Sequence, residues 1–291
     1  MTISRFLQVP FNIFLFRHAP VWFSKRYLRL LGKLYYIVNR SEAALIEKNV
    51  RTVFNDPEEV RRIVRKTFDG IFVHYTEKLL MAYRNLNTLK QEFGESVEYS
   101  GLEHLDSAWH KGGVILVTGH FGAVEFMPMA MNLKKYPVSM VVKFQTEKLK
   151  RSLVERAVQN DIELIDGGGA CDLIRKQINA LKNGRILMTE CDEVDAWSTR
   201  SDRTMPAFGG RILVDRTIAF LARHTGAEVL GAFLFRTGNG YRLIIEPLGQ
   251  AARDDAVLAE KIMENFERKV MSAPDQWYQW KKFHKMRPEI V

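Results

Sequence analysis

The sequence predicts an α/β protein with a largely parallel central sheet flanked by helices and an N-terminal helical layer. Short apolar runs alternate with longer helical segments after residue 96, which is the pattern of a parallel sheet. A length of 291 residues and a hydrophobic content of 46% suit a large domain with a sizeable core. We expect a helical region over residues 1–95 and an α/β domain over residues 96–291, together forming one structural unit.

The N-terminal residues 3–40 combine aromatic and aliphatic side chains with scattered arginines and lysines. Polar residues and prolines interrupt the apolar runs well before the roughly twenty residues that a membrane-spanning helix needs. The segment also lacks the long apolar core and the cleavage site of a secretory signal. Two interpretations stay open: a segment that lies in the bilayer interface, and an ordinary amphipathic helix that covers the core.

Three helical segments follow the N-terminal region. Ser41 is the expected cap of the first, and Asp56 is the expected start of the second. The third, over residues 71–85, is largely apolar, and we interpret His74 and Tyr75 within it as packing residues. These helices are predicted to form a layer that leads into the α/β unit.

The stretch from Lys111 to Asn132 contains the main candidate site. Its apolar run predicts a buried strand that ends at a Thr-Gly turn, with His120 in the turn and Glu125 in the first turns of a helix. A histidine can take a proton from an alcohol, and a nearby carboxylate can fix its tautomer. Amide groups at the helix start can stabilise an oxyanion. The spacing alone leaves a catalytic pair and two ordinary polar residues equally open.

Further predicted strands end at polar residues. One ends at Lys143, and another, after a short strand near residue 162, ends at Cys191 and Asp192. Ligands of parallel sheets gather at the carboxyl ends of the strands, so we expect His120, Lys143 and Asp192 to share one site. A hairpin is predicted around residues 237–240, where Asn-Gly is the turn signal.

Three sequence stretches resemble a known enzyme family. The run GHFGAVE, residues 119–125, resembles the His-x4-acid motif of the glycerolipid acyltransferase superfamily. In its Glu form it is most similar to the bacterial late acyltransferases of lipid A biosynthesis. Residues 205–236 and 273–288 resemble two further segments of that family, in the same order. Ala123 and Val124 depart from the Asn and Trp that are common in the motif.

The resemblance implies an acyltransferase in which His120, oriented by Glu125, removes the proton from an acceptor hydroxyl. The hydroxyl then attacks the thioester of an acyl carrier protein or coenzyme A adduct, and neither a metal nor a cofactor is implied. The implied acceptor is a lipid A precursor or related glycolipid. A lysophospholipid or another envelope conjugate stays open as acceptor, and so does a catalytically silent, basic peripheral membrane protein. The implied location is the cytoplasmic face of the bacterial inner membrane, in a peripheral or monotopic arrangement.

Seven residues are candidates for binding a substrate or lining its channel. By the resemblance, Arg156 matches a functional arginine, and Asp192 matches the aspartate of a Pro-Asp-Gln segment. Either can bind a phosphate-bearing substrate, Asp192 can also help to organise the site, and a structural salt bridge is the alternative for each. Lys143 is a candidate from its place at a strand end. A polar loop supplies candidates for an acyl or headgroup channel, namely Trp197, Arg200, Arg203 and Phe208.

The formal net charge of +9 indicates an anionic partner. Acyl thioester carriers and membrane lipids are both anionic, whereas no recognition motif supports nucleic acid. Near the C-terminus Trp277, Tyr278 and Trp280, with neighbouring lysines, are predicted to contact lipid headgroups. Cys171 and Cys191 have neither disulfide nor metal-site spacing and are expected to be reduced thiols.

Overall fold

A computed structural model describes the chain over residues 7–144, 146–168, 172–197, 203–238, 240–250 and 255–287. Its α-helices are α1 Pro10–His18, α2 Val21–Val38, α3 Arg40–Val50, α4 Pro57–Tyr83, α5 Leu86–Gly94, α6 Leu102–Trp109, α7 Met127–Leu133, α8 Glu147–Val158, α9 Leu173–Lys182, α10 Thr217–Thr225 and α11 Asp255–Ser272. Its strands are β1 Val97–Ser100, β2 Val114–Thr118, β3 Val138–Val142, β4 Ile162–Asp166, β5 Ile186–Glu190, β6 Thr204–Ala207, β7 Gly210–Leu213, β8 Glu228–Arg236 and β9 Tyr241–Gly249.

Seven of these strands form one mixed sheet in the order β1-β9-β8-β2-β5-β3-β4. All neighbouring pairs are parallel except β8 and β9, which form the predicted antiparallel hairpin. The α/β fold with a largely parallel sheet is therefore confirmed. Strand β2 lies between β5 and β8, so its five residues are buried on both faces.

The register of β2 against β5 determines where the site forms. Thr118, the last residue of β2, lies opposite Glu190, the last residue of β5. Strand β3 pairs with the other side of β5. The chain segments that follow these three strands therefore leave the sheet at the same edge, as the sequence predicts.

The helical region before the sheet differs in detail from the prediction. Helix α4 is one continuous helix of 27 residues, whereas the sequence suggested two. Asp56 caps it as predicted, because its carboxylate accepts hydrogen bonds from the amides of Glu58 and Glu59. Helix α3 begins at Arg40, so Ser41 is not its cap. Within the described residues, no helix combines the length and the apolar character needed to cross a membrane.

Helices α1 and α2 carry a row of apolar side chains that face solvent, here called the N-terminal apolar face. On α2 the successive members of this row are eight, four and three residues apart. These spacings are close to whole numbers of helical turns, so the side chains lie along one side of the helix. Their exposed fractions lie between 52% and 67%, and the residues are Phe11, Phe14, Trp22, Leu30, Leu34 and Ile37. Exposed basic residues lie among them on α2, at Arg26, Arg29 and Lys33.

Candidate active site

His120 lies in a tight turn directly after β2, as the sequence predicts. Gly122 makes the turn possible, because its φ of 55° is unfavourable for other residues. A Cβ atom at Gly122 would also lie 2.1 Å from the carbonyl oxygen of Leu234. A short 3-10 helix, Val124–Phe126, follows and contains Glu125 before α7 begins.

Asp192 fixes the orientation of His120. The Nδ1 atom of His120 lies 3.0 Å from Oδ1 of Asp192, and the backbone amide of His120 donates to the same carboxylate. The indole Nε1–H of Trp277 donates to Oδ2 of Asp192 at 2.7 Å. Burial raises the pKa of Asp192, but the charge of His120 and these hydrogen bonds outweigh burial and hold that pKa below its ordinary value. Asp192 is therefore a carboxylate, and with Nδ1 protonated it leaves Nε2 of His120 to act on a substrate.

Two further carboxylates face the other ring nitrogen of His120. Its Nε2 atom lies 3.5 Å from Oε2 of Glu190 and 3.6 Å from Oε2 of Glu193. Burial lowers the pKa of His120, but Glu190, Asp192 and Glu193 outweigh burial and raise it to about 9. In the free protein His120 is therefore mainly an imidazolium at neutral pH.

Glu125 has different partners from those the sequence suggested. Its carboxylate lies 3.0 Å from Nζ of Lys78 and 3.4 Å from Nε2 of His74, both on α4. The residue that contacts Nδ1 of His120 is Asp192, so the predicted orientation of His120 by Glu125 is wrong. The reason is geometric: the turn directs His120 towards the end of β5, and the 3-10 helix directs Glu125 towards α4.

The ion pair of Lys78 and Glu125 affects the protonation of Lys78 and of the neighbouring His74. Burial lowers the pKa of Lys78, but the adjacent Glu125 carboxylate outweighs burial and raises it. Burial and the charge of Lys78 lower the pKa of His74 well below its ordinary value. Lys78 is thus a cation and His74 a neutral imidazole at neutral pH. His74 is part of the site rather than the simple packing residue that the sequence suggested.

The backbone amides of the turn are already used. His120 donates to Asp192, and the next three amides donate to the carbonyl oxygens of Gly119, Gln276 and Leu234, respectively. The predicted use of these amides to stabilise an oxyanion is therefore wrong for residues 120–123. A donor for that role has to come from outside residues 120–123.

The aromatic segment near the C-terminus is buried inside the protein. Trp277 and Trp280 have no exposed surface and Tyr278 is 5% exposed, so the predicted contact of these residues with lipid headgroups is wrong. The segment instead packs beside the turn, since the amide of Tyr278 donates to the carbonyl oxygen of His120 at 3.2 Å. Two lysines of the segment, Lys282 and Lys285, form ion pairs with Asp195.

A cavity of about 470 Å³ contains the His120 and Glu125 side chains, within the volume range of small-molecule sites. Apolar side chains form much of its wall, among them Ile71, Met81, Met129, Met140, Leu153 and Leu164. Basic side chains also line it, at Lys78, Lys90, Lys143, Arg156, Lys281 and Lys282. The cavity thus combines an apolar wall, cations and a base. The predicted convergence of His120 and Lys143 at one edge of the sheet is confirmed.

The remaining substrate-binding candidates have different positions. Arg156 lies in the cavity wall, where its guanidinium donates to the carbonyl oxygen of Met81 at 3.0 Å. Phe208 is fully buried and stacks on Trp277, with 5.6 Å between ring centroids, so its predicted role in a substrate channel is wrong. Trp197 lines a second cavity, of about 890 Å³, which shares Lys143 with the first. Arg203 is exposed, and Arg200 lies outside the described residues.

His120, Glu190 and Glu193 offer ligand atoms within 4.8 Å of one another, a spacing that a metal ion can use. Metal binding requires the imidazole nitrogen to be unprotonated. Because the pKa of His120 is about 9, protonation opposes metal binding there at neutral pH. Cys191 is a free, buried thiol whose pKa burial raises well above its ordinary value. Cys171 lies outside the described residues.

Sequence reasoning missed four residues of the site: Lys78, Glu190, Glu193 and Tyr278. Glu190 and Glu193 lie on either side of Asp192, at the end of a predicted strand. The rule that ligands gather at strand ends therefore applies to both glutamates. Lys78 occurs one helical turn after His74, which is the only sequence sign that the two share a helix face. Nothing local in the sequence shows that α4 packs against the end of β2.

The chain was compared with protein families, with curated proteins and with solved structures. The sequence model of the family described as bacterial lipid A biosynthesis acyltransferase matches residues 5–285. No curated protein is significantly similar to the chain. Among solved structures, the chain is similar to the 1-acyl-sn-glycerophosphate (LPA) acyltransferase PlsC from Thermotoga maritima, with 13% identity and a TM-score of 0.44. That likeness covers 89% of this chain and 99% of the other.

Proposed function

The chain belongs to the bacterial lipid A biosynthesis acyltransferase family and is an acyltransferase, and on that premise we propose its reaction. It transfers a fatty acyl chain from the thioester of acyl carrier protein or coenzyme A to a hydroxyl of a lipid A precursor or related glycolipid. The observation that carries the proposal is the placement of His120: Asp192 holds Nδ1, and the ring lies in a cavity with an apolar wall and several cations.

The residues of the site support direct transfer to an acceptor hydroxyl. The hydroxyl replaces the carboxylates of Glu190 and Glu193 as the neighbour of Nε2 and gives its proton to the neutral form of His120. Asp192 stabilises the resulting imidazolium. The apolar wall suits the acyl chain, and the basic residues of the cavity suit the phosphates of the donor or the acceptor.

We also propose that the N-terminal apolar face attaches the protein peripherally to the cytoplasmic face of the bacterial inner membrane. Six exposed, large apolar side chains beside arginines and lysines suit the interface of an anionic bilayer. The test is flotation with phosphatidylglycerol-containing vesicles. Replacing Trp22, Leu30 and Ile37 by Ser should release most of the protein from the vesicles. Unchanged flotation of this variant would exclude the N-terminal apolar face as the membrane contact.

The reaction is tested with the purified chain and thioester donors. Lauroyl coenzyme A and lauroyl acyl carrier protein are supplied with a lipid A precursor, a lysophospholipid or no acceptor, and thiol release is followed with mass analysis of the lipid. We expect acyl transfer by the wild type. His120→Ala should lower the rate by roughly two to four orders of magnitude, because it removes the general base.

The outcomes separate the alternatives. Transfer only to the lysophospholipid would replace the proposed acceptor but keep the reaction. Wild-type rates in a folded His120→Ala variant would refute the role of His120. Absence of thiol release with both donors would favour a basic peripheral membrane protein without turnover.

A further inference from the structure

Acyl transfer creates a negative charge on the thioester carbonyl oxygen, and a preorganised hydrogen-bond donor at that oxygen lowers the barrier. The amides of residues 120–123 already donate within the fold. The Lys78 ammonium is held by Glu125. A neutral side-chain donor that lines the same cavity is a further source.

Tyr278 carries such a donor beside the general base. Its ring lines the cavity and meets the ring of His120 edge-on, with 5.7 Å between centroids and an angle of 89°. The ring of Tyr278 also stacks on the ring of His74, with 4.3 Å between centroids. The backbone amide of Tyr278 also donates to the carbonyl oxygen of His120. The phenol is therefore fixed in position relative to the base.

The hydroxyl of Tyr278 is buried and, among the residues that the structure describes, has no hydrogen-bond partner. A buried hydroxyl that stays unpaired destabilises a fold. Because the side chain of Tyr278 lines the cavity, a ligand bound there can supply the missing partner. Burial, with the carboxylates of Glu125 and Glu190, raises the pKa of Tyr278 well above its ordinary value. The phenol is thus protonated, and it can donate, throughout the neutral range.

We propose that Tyr278 is a further catalytic residue, whose hydroxyl donates a hydrogen bond to the carbonyl oxygen of the acyl thioester as that oxygen becomes an oxyanion. The inference rests on the proposed function. The acceptor oxygen bonds to the carbonyl carbon and gives its proton to Nε2 of His120. The C–S bond then breaks, and His120 returns the proton to the departing thiolate. The bond from Tyr278 strengthens as charge develops on the oxygen, and contacts of this kind commonly tighten only when substrate is bound.

The test is the Tyr278→Phe variant, with Tyr83→Phe as its matched control. Tyr83 is also 5% exposed and also has an unpaired, buried hydroxyl, but it lines neither cavity. With lauroyl coenzyme A or lauroyl carrier protein, Tyr278→Phe should lower kcat about a hundredfold and leave KM for the thioester within about twofold. Tyr83→Phe should keep kcat within about twofold of the wild type. Neither variant should lower Tm, because each removes an unpaired hydroxyl.

The pH profile gives a second readout. Tyr278→Phe should lower the plateau of kcat/KM without moving the pH of half-maximal activity, since the phenol is uncharged. A displaced midpoint would mean that the variant disturbs His120 and would overturn the inference. Equal kcat for the two Phe variants, with His120→Ala inactive, would overturn it while the proposed function stands. No turnover by the wild type with either donor would overturn the proposed function, and the role of Tyr278 with it.

Discussion

The carboxylate of Glu190 is expected to control the pH at which the enzyme works. His120 has a pKa of about 9 here, against an ordinary value of 6.5. The difference corresponds to about 3 kcal/mol in favour of the imidazolium. The carboxylates of Glu190, Asp192 and Glu193 supply this free energy and also outweigh the opposing effect of burial. Each therefore stabilises the imidazolium by on the order of 1 kcal/mol or more. Because Glu190 lies 3.5 Å from Nε2, Glu190→Gln should lower the pKa of His120 by about one unit or more.

A general base works only when it is unprotonated, so the sign of the effect follows. For the wild type, kcat/KM should fall about tenfold per pH unit below the pKa of about 9 and reach a plateau above it. In Glu190→Gln the midpoint should move to lower pH, and kcat/KM at pH 7 should rise about tenfold or more. The assay is thiol release from the acyl donor between about pH 6 and 10 at constant ionic strength.

Glu103→Gln is the control, because Glu103 is exposed on α6 and lines neither cavity. It makes the same change of charge and should leave the midpoint in place. A wild-type midpoint near 6.5, or superimposable profiles for the wild type and Glu190→Gln, would refute the electrostatic account of His120.

Two further predictions concern the other carboxylates of the site. Asp192→Asn should reduce kcat/KM by roughly three to four orders of magnitude on the high-pH plateau, because the amide cannot fix the tautomer or stabilise the imidazolium. Steady-state thiol release measures this, and a loss below tenfold on the plateau would contradict it. Glu125→Gln should lower the free energy of unfolding by about 2 kcal/mol, because it leaves the mainly buried Lys78 ammonium without its partner. The double variant Glu125→Gln/Lys78→Met should regain most of that stability, as measured by urea unfolding. Equal stability of Glu125→Gln and the wild type would show that the ion pair of Lys78 and Glu125 does not stabilise the fold.

The sheet could be predicted because its strands are short, apolar runs bounded by turn residues. Strand β2 is buried at all five positions, which is why Val114–Val117 stands out in the sequence. The strand-end rule then placed His120 and Lys143 at one edge. The β6–β7 hairpin was missed, since its strands have four residues each and β6 contains Pro206.

The partner of His120 could not be predicted from spacing along the chain. Glu125 is five residues away, whereas Asp192 is 72 residues away. What brings Asp192 close is the register of β2 against β5, with Thr118 opposite Glu190. Such a register is a property of the assembled sheet, and no local pattern specifies it.

The C-terminal aromatic segment shows a second limit. Tryptophan and tyrosine beside lysines are typical of a membrane interface, and the same composition also suits a buried cluster with charged neighbours. The structure selects the buried form, in which Trp277 donates to Asp192 and Trp280 donates to the carbonyl oxygen of Pro274. Composition describes which contacts such residues can make, but only the packing of α4 and α11 decides which they do make.

The central claim is that His120 is the general base of acyl transfer to a lipid. The most direct measurement is lipid mass spectrometry of cells that lack the chain and are complemented with the wild type or with His120→Ala. From this claim we expect one lipid species heavier by an acyl group with the wild type and its absence with His120→Ala, at equal protein levels. An unchanged lipid profile with the wild type, or the same heavier species with His120→Ala, would contradict it.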